Sequence, residues 1–505
     1  MEKRVAVREL NLPAAVLGNG SLLATFSEHG RVEHVWCPHP DREIDIAAFE
    51  LDLNLDGGWA WRQEYVGSAQ ILRTIGSSGE HEVVIEDVVH DTRPILIRRI
   101  TFPDGQVTTK SVPAGVDEPF DAIAERRARI DADRIATAAS PLQQTVTRLY
   151  ERSLLVFDAL SDGETGAVIA APELDPHGIH SGGYGFVWAR DLAFVVLASL
   201  ASERFDLARR ALLWFPRAQE PSGLWLQRHR TDGSLAPSWC AHQLDETGTV
   251  LFAYEAAWRE LRDEQLDESL WPSARTAADF LLGTLDDEYL PRVTVDLWEE
   301  REGQHAYTAA AVAAGLRAAA SFAERYEPRL RSTYTDAAEQ VTAAVERWFW
   351  SDSDGRYLRT LGDATVDVSL LGLAWPFGVV DARGVRMRAT VEAIERTLGR
   401  PGGGILRYED DTYAGGNPWV LAALWLALWH RQVGDGGHER AIAYAQGVAT
   451  SLDLLAEQVT EDGTPAWVLP LAWSHAMFVL AVRPELELIR AYTSAVARSP
   501  LRVAR

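Results

Sequence analysis

Two acidic segments carry the side chains of this sequence best suited to proton transfer. They are 296–300 (DLWEE) and 456–458 (AEQ), and each adjoins a stretch that is typical of an apolar or aromatic helix. Hydrolysis of a glycosidic bond needs two carboxyl groups in different protonation states, one to protonate the leaving oxygen and one to activate water or attack carbon. The two segments could supply such a pair.

The segment 295–308 (VDLWEEREGQHAYT) favours this chemistry through its neighbours. Adjacent glutamates on a loop are most often solvated surface charge. Leu297 and Trp298, however, would bury part of the segment and could raise the pKa of one carboxyl by desolvation. A general acid needs such a raised pKa.

Residues 182–191 (GGYGFVWARD) combine aromatic and charged side chains that suit a sugar. Arg190 and Asp191 could bind pairs of hydroxyls, and Tyr184 and Trp188 could lie against the CH face of the ring. The alternative is structural, with an Arg–Asp ion pair opening a helix at Ala189 and Trp188 in the core. Spacing alone does not separate the two.

Two further loops have the same character. In 239–246 (WCAHQLDE) the last two residues could simply favour the positive end of a helix, which leaves Trp239 and Gln243 unexplained. In 405–419 (ILRYEDDTYAGGNPW) Arg407 and Tyr408 precede an acidic run. The PGGG before it is not a phosphate loop, because no Lys-Ser/Thr follows.

Composition limits the class of protein to which these loops belong. The chain has 505 residues, 47% of them hydrophobic and 24% charged, which indicates a soluble globular protein with a large core and two domains. A net charge of −24 argues against a nucleic-acid partner. Two cysteines, Cys37 and Cys240, provide neither a disulfide framework nor a cysteine-rich zinc site.

The remaining patterns exclude other classes. The N-terminal stretch lacks a continuous apolar region, and no window has eighteen uninterrupted apolar residues, so we expect a cytoplasmic protein without a membrane partner. The Asn19-Gly20-Ser21 sequon is expected to be a turn. Thirteen histidines occur without an HExxH motif or a His-x-His carboxylate cluster, which argues against a catalytic metal.

Strand patterns dominate residues 1–108, and we expect a small antiparallel β domain there. Its β-favouring runs, separated by Gly, Asp and Pro, are VAVREL, SLLATF, VEHVWC, FELDLNL, EHEVVIEDVV and ILIRRITF. Residues 109–140 are polar and predict a connecting segment that is partly helical.

Residues 141–505 follow a helical period and predict twelve helices, which suggests six hairpins closed in a ring. The sequence shows no strict repeat period, which argues against a solenoid. Segment 417–430 is apolar on nearly every face, as an inner helix would be, whereas 334–348 is amphipathic. The predicted spans are 141–160, 189–202, 204–217, 242–262, 267–286, 306–325, 329–350, 367–375, 383–398, 417–434, 438–457 and 471–491.

Five motifs together resemble glycoside hydrolase family 15, the glucoamylases, glucodextranases and related α-glucoside hydrolases. They are YGFVWARD, WCAHQLD, DLWEE, RYEDDTYAGGNPW and AEQ…PLAWSHA, in the order of the family and within about 180–480. The resemblance implies an (α/α)6 barrel preceded by a β-sandwich. It also implies an inverting enzyme that releases β-glucose from a non-reducing end, with Glu299 as general acid and Glu457 as general base.

The same resemblance implies roles for the other residues and no cofactor. Arg190 and Asp191 would bind hydroxyls of the terminal glucose, Tyr184 would lie near the catalytic water, and Trp239 would wall the pocket beside Trp188. The leaving side would contact Glu300 and Arg407, and the acid would be framed by Asp296, Leu297 and Trp298. The partner would be a small α-linked gluco-oligosaccharide.

Inversion requires room for a water molecule, so we expect the two carboxyls to lie roughly 6.5–9.5 Å apart. One departure from the family concerns the N-terminus, because bacterial members often have a larger β-sandwich than 108 residues allow. Preference among α-1,4, α-1,6 and α,α-1,1 linkages depends on loops near 218–238 and 405–416.

Two other functions remain open from the sequence. A disaccharide phosphorylase would need a phosphate-binding cluster in place of Glu457, and AEQVTEDG offers none. A catalytically silent glycan-binding protein would more often have lost one of the two glutamates.

Overall fold

The structure is a computed structural model that describes residues 12–37, 42–44, 46, 58–173, 183–238 and 242–498. The predicted strands VAVREL and FELDLNL lie outside the described residues. So do Trp239 and Cys240.

Two antiparallel sheets form the N-terminal part. A three-stranded sheet has the order β1-β2-β3, and a five-stranded meander has the order β4-β5-β6-β7-β8. The four predicted runs that lie in the described part are strands β2, β3, β6 and β7. The strands are β1 Ala15–Gly18, β2 Leu23–Phe26, β3 Val32–Trp36, β4 Ala60–Tyr65, β5 Ile71–Ser78, β6 His81–Val89, β7 Leu96–Thr101 and β8 Val107–Val112.

Among the described strands, the sequence patterns missed β1, β4, β5 and β8. β4 (AWRQEY) and β8 (VTTKSV) are the two edges of the meander and carry charged or polar side chains that are partly exposed. Edge strands often carry charge, so their apolar signal is weak. Between β1 and β2, Asn19 Oδ1 accepts hydrogen bonds from the backbone of Ser21 and Leu22 at 2.8 and 2.9 Å, which confirms the predicted turn.

Helix α1, Phe120–Ala136, forms in the predicted connecting segment. Its residues Phe120 and Ile123 pack on one face of the meander against Ile71, Val88 and Ile97. The boundaries 1–108, 109–140 and 141–505 stay a prediction, because one apolar cluster runs through β1–β3 and the helices that follow.

In the described part of the chain twelve further α-helices follow, most of them close to their predicted spans. They are α2 Thr147–Leu160, α3 Ala189–Ala201, α4 Phe205–Ala218, α5 Leu244–Leu261, α6 Glu264–Leu282, α7 Ala306–Tyr326, α8 Arg331–Trp348, α9 Val385–Leu398, α10 Val420–Val433, α11 Gly437–Val448, α12 Ala472–Val482 and α13 Glu487–Arg498. Among the described helices none has the length and apolar character needed to cross a membrane.

These helices form an (α/α)6 barrel. The inner ring is α3, α5, α7, the 3₁₀ helix Val368–Leu373, α10 and α12, each in contact with the next and α12 in contact with α3. Helices α3, α10 and α12 are buried almost all round, as expected for an inner ring. Helices α2, α4, α6, α8, α9 and α11 lie outside this ring.

Three predicted helices were wrong in type or extent. The span 367–375 is the short 3₁₀ helix. The span 471–491 is two helices, because Pro484 lacks the amide hydrogen that would continue α12. The span 438–457 ends at Val448, where the Thr450 hydroxyl accepts hydrogen bonds from the backbone of Leu452 and Leu454 and so competes with the helix.

Candidate active site

The predicted site residues converge because they lie in the loops that precede inner helices or in the first turn of such a helix. Segment 184–188 precedes α3, 296–300 precedes α7, 405–419 precedes α10, and 456–458 lies in the loop before α12. Isolated bridges tie these loops together, Trp419 pairing with Gln458 and Asp367 with Tyr408. One end of the barrel therefore gathers all the described site candidates.

Both oxygens of the Glu299 carboxyl are held by hydrogen bonds. Oε1 accepts from Trp188 Nε1 at 2.6 Å, and Oε2 accepts from Gln227 Nε2 at 2.5 Å. Arg190 Nη2 lies 3.5 Å from Oε1. Burial raises the pKa of Glu299, whereas Arg190, Trp188 and Gln227 pull that pKa down. The net rise is the direction that a proton donor needs.

The backbone of Glu299 adopts a left-handed conformation with φ of 66°, which is uncommon for a residue with a side chain. Asp296 enforces this turn. Its carbonyl accepts from the Glu299 amide at 3.0 Å, and its Oδ1 accepts from the amides of Glu300 and Arg301 at 2.9 and 3.2 Å. Asp296 thus frames Glu299 through the backbone.

Leu297 and Trp298 lie within this turn and are buried, with 3% and 7% of their surface exposed. Trp298 Nε1 donates to both oxygens of Asp367, at 3.1 and 3.0 Å. Its ring lies edge-on to Trp419 at a centroid distance of 5.6 Å. Trp298 therefore holds the turn against Asp367 and Trp419.

Glu457 is held differently. Its Oε1 accepts from the Tyr184 hydroxyl at 2.9 Å, the Tyr184 and Tyr413 hydroxyls lie 3.0 Å apart, and Trp467 Nε1 donates to Tyr413 at 3.1 Å. Oε2 is buried and has no hydrogen-bond partner among the described residues. Burial raises the pKa of Glu457 to about 8, although Tyr184 and Arg407 oppose the rise.

A general base must be ionised, and the raised pKa of Glu457 restricts the ionised form to higher pH. Below about pH 8, burial favours the protonated carboxyl.

Segment 184–188 connects the two carboxyls. Tyr184 holds Glu457 and Trp188 holds Glu299, and the centroids of the two aromatic rings are 5.8 Å apart. The two glutamates are therefore linked through two neighbouring aromatic rings. Such aromatic surfaces suit the apolar face of a sugar ring.

Arg190 lies in a buried group of carboxylates. Its Nη1 donates to Asp245 Oδ2 at 3.0 Å and lies 3.5 Å from Glu246, and its Nε lies 3.9 Å from Asp191. Burial raises the pKa of Asp191 to about 7, because it outweighs the attraction of Arg190 and because Glu299 is nearby. Arg190 therefore forms ion pairs with buried carboxylates, including Asp191, and it also lies close to Glu299.

Arg407 and Glu300 form a second charged pair. Arg407 donates to both oxygens of Asp411 at 2.7 and 2.8 Å and to Glu300 Oε1 at 3.2 Å. The Tyr408 hydroxyl donates to the other oxygen of Glu300. The Glu300 side chain is 30% exposed, unlike its neighbour Glu299 at 12%. The aromatic rings within 5.4 Å of the Arg407 guanidinium are those of Trp298, Tyr408, Tyr413 and Trp419.

Sequence reasoning missed several of these contacts. Tyr413 and Asp411 belong to a recognised loop, but no pattern indicates which of its residues would meet Arg407 or Tyr184. Gln227 and Trp467 carry no spacing signal, since each acts through a bond to a residue far along the chain. Asp245 and Glu246 lie in the first turn of α5, as the helix-end interpretation predicts, but their burial beside Arg190 was not foreseen.

Comparison with known proteins gives consistent relatives. A sequence model of Glycosyl hydrolases family 15 matches residues 146–448. An uncharacterized glycosyl hydrolase of Methanocaldococcus jannaschii is 33% identical over 66% of this chain and 55% of its own length. A glucoamylase of Clostridium sp. is 25% identical over 80% of this chain and 62% of its own length. This chain thus spans less than two thirds of either relative.

Two further relatives bear on the fold and the family. An isomaltose glucohydrolase of Kribbella flavida is 31% identical over 62% of this chain and 87% of its own length. The structure of a bacterial glucoamylase complexed with acarbose superposes with a TM-score of 0.78, covering 95% of this chain and 96% of the other at 18% identity. That superposition supports the fold. The family match covers more than half of the chain, and the chain therefore belongs to glycoside hydrolase family 15.

Proposed function

We propose that this chain is an inverting, exo-acting α-glucoside hydrolase that releases β-glucose from the non-reducing end of α-linked gluco-oligosaccharides of the maltose, isomaltose or dextrin type. The observation that carries the proposal is the pair of buried glutamates held by Tyr184 and Trp188 of one segment. The names of the relatives, a glucoamylase and an isomaltose glucohydrolase, support the substrate class.

Glu299 is the proton donor in this proposal. Burial raises its pKa and so favours the protonated carboxyl, which gives its proton to the glycosidic oxygen. The carboxylate that remains is stabilised by Arg190, Trp188 and Gln227, which already surround it. The same contacts therefore serve the donor before and after it acts.

Glu457 is the base. Its unpartnered Oε2 takes a proton from a water molecule as the water oxygen bonds to the anomeric carbon. The bond from that carbon to the leaving oxygen breaks at the same time, and the leaving sugar departs with the proton of Glu299. Attack on the opposite face gives the β anomer, and it requires carboxyls roughly 6.5–9.5 Å apart.

The charged pairs around the carboxyls select the sugar. Arg190 and Asp191 would bind hydroxyls of the terminal glucose, and Tyr184 and Trp188 would lie along its ring. Glu300 and Arg407, with Glu300 partly exposed, would meet the leaving sugar. Trp239 is proposed as a further wall on the basis of the family resemblance alone.

The stereochemistry of the first product tests the proposal. We expect an NMR time course on maltose, isomaltose, trehalose and a dextrin to show β-glucose before mutarotation, at a rate that added phosphate does not change. Glu299→Gln and Glu457→Gln should each lower kcat roughly 10²–10⁴-fold. Initial α-glucose would contradict inversion, and sugar binding without glucose release would favour the silent glycan-binding protein.

A further inference from the structure

The loop that carries Glu457 is irregular over residues 449–471, yet its backbone is fixed at three successive residues. The Leu455 amide donates to His475 Nε2 at 3.0 Å, and the Ala456 carbonyl accepts from Ser474 Oγ at 2.9 Å. The Glu457 amide donates to the carbonyl of Val468 at 3.1 Å, and the Glu457 carbonyl accepts from the amide of Val420 at 3.0 Å. Two of the four bonds come from the first turn of α12.

The hydrogen bonds of His475 specify a single tautomer. Because Nε2 accepts from the Leu455 amide, the ring proton must lie on Nδ1, which is 2.8 Å from Ser153 Oγ. Ser153 Oγ in turn donates to the Leu149 carbonyl at 2.7 Å. Every polar atom in this chain of three groups is used, so the ring cannot turn over without losing bonds.

The environment also keeps His475 neutral. The side chain is fully buried, and burial together with the charge of Arg152 lowers its pKa to about 3. Protonation would place a hydrogen on Nε2, facing the Leu455 amide hydrogen. Above about pH 3, the acceptor for the Leu455 amide is therefore present.

We propose that Ser474 and His475 are positioning residues for the base, and that they hold residues 455 and 456 so that the Glu457 carboxyl meets Tyr184 and the attacking water. The proposal rests on the proposed function of Glu457. Both side chains are fully buried. Each acts through the backbone immediately before Glu457, where a shift of 1 Å can reduce a rate roughly 100-fold.

The direction of these bonds distinguishes them from ordinary helix packing. A serine inside a helix commonly bonds a carbonyl one turn earlier in the same helix. Ser474 and His475 instead reach across to the loop, eighteen and twenty residues earlier in the chain. Loss of His475 also leaves a buried amide without an acceptor, which favours rearrangement of the loop.

The test uses the full chain and four variants. His475→Phe keeps a ring of similar size but removes the acceptor, and Ser474→Ala removes the second anchor. His475→Gln places an amide oxygen near the position of Nε2. His430→Phe is the matched control, because His430 is a buried histidine of α10 that pairs with Asp435 and Glu395.

The expected result is a split between kcat and KM on maltose or isomaltose. His475→Phe should lower kcat roughly 10- to 100-fold with KM changed by less than about threefold, since the sugar contacts remain. His475→Gln should restore most of the loss, Ser474→Ala should give a smaller loss, and His430→Phe should keep kcat. Circular dichroism measures the folded fraction of each variant, and each kcat is calculated per folded molecule.

Several outcomes would overturn the proposal. An unchanged kcat in folded His475→Phe would do so, as would an equal loss in His430→Phe. If His475→Phe does not fold, the other two variants decide. A wild-type kcat in Ser474→Ala together with a complete loss of activity in His475→Gln would reject a positioning role for these residues. Glu457→Gln is assayed in parallel, because activity in that variant rejects the base itself and the positioning proposal with it.

Discussion

Tyr184 and Trp188 are four residues apart in sequence, and each donates a hydrogen bond to a different glutamate. The motif that contains them was recognisable from residue types, as were both glutamates. Which of the two aromatic residues bonds which glutamate was not recognisable, because that depends on loops brought together by the ring of helices. The φ of 66° at Glu299 was equally invisible, since glutamate has no preference for that conformation and Asp296 enforces it.

Tyr184→Phe should shift the pH dependence of catalysis. The Tyr184 hydroxyl lowers the pKa of Glu457, which burial has raised to about 8. Its removal should raise that pKa by about one unit, the equivalent of one hydrogen bond to a charged group. Because the base must be ionised, activity falls as pH drops through its pKa. The acidic limb of the kcat/KM profile should therefore move to higher pH.

A profile of kcat/KM from pH 5 to 10 measures this shift. Tyr334→Phe is the control, since the Tyr334 hydroxyl donates to Asp279 on the outer helices. An acidic limb that stays in place in Tyr184→Phe would show that the hydroxyl does not act on the base.

At the scale of elements, apolar residues on nearly every face marked 417–430, now α10, as an inner helix, and the amphipathic pattern of 334–348 matches the outer helix α8. The 3₁₀ helix Val368–Leu373 in the inner ring was not recognisable. Its six residues are all buried, and a short apolar run does not distinguish an α-helix from a tighter turn. Edge strand β4 was missed for the opposite reason, because its side chains are half exposed.

Helices α5 and α7 approach each other through two glycines. A Cβ on Gly248 would lie 2.4 Å from the Ala311 carbonyl oxygen, and one on Gly315 would lie 2.9 Å from Gly248 Cα. Gly248→Ala should therefore destabilise the protein by roughly 1–3 kcal/mol, because the added methyl group meets backbone that cannot move aside.

Denaturation by urea, followed by circular dichroism, measures that change. Gly447→Ala is the matched control in a helix, since a Cβ there meets nothing within 4 Å. The control should be neutral or stabilising by about 0.5–1 kcal/mol. Equal stability of Gly248→Ala and the wild type would mean that the two helices can separate freely.

At the scale of the whole molecule, the sheets and the barrel share one apolar cluster that extends from β1 to α13. A Cβ on Gly18 of β1 would lie 2.5 Å from the Ala159 carbonyl oxygen of α2, so the small sheet sits directly on a barrel helix. The apolar core surrounds carboxyls that the proposed chemistry needs. At the end of the barrel where these carboxyls lie, burial that suits the proposed chemistry therefore lowers the free energy of unfolding when a carboxyl is ionised.

Glu457→Gln should be more stable than the wild type, and by an amount that grows with pH. The folded pKa of Glu457 is raised from 4.5 to about 8, so the folded protein holds a proton that the unfolded chain releases. Stability from this group is fully present below about pH 4.5 and is lost as pH rises through about 8. Glutamine has no charge to bury and should avoid that loss.

Thermal unfolding at pH 5, 6.5 and 8 measures the difference. The midpoint of Glu457→Gln should exceed that of the wild type by a few degrees at pH 8 and by less at pH 5. Glu461→Gln is the control, because Glu461 is exposed in the same loop and its substitution should leave the midpoint unchanged at all three pH values. A constant difference for Glu457→Gln across the series would mean that burial of this carboxyl does not oppose folding, and the trade between stability and a buried base would then have to be abandoned.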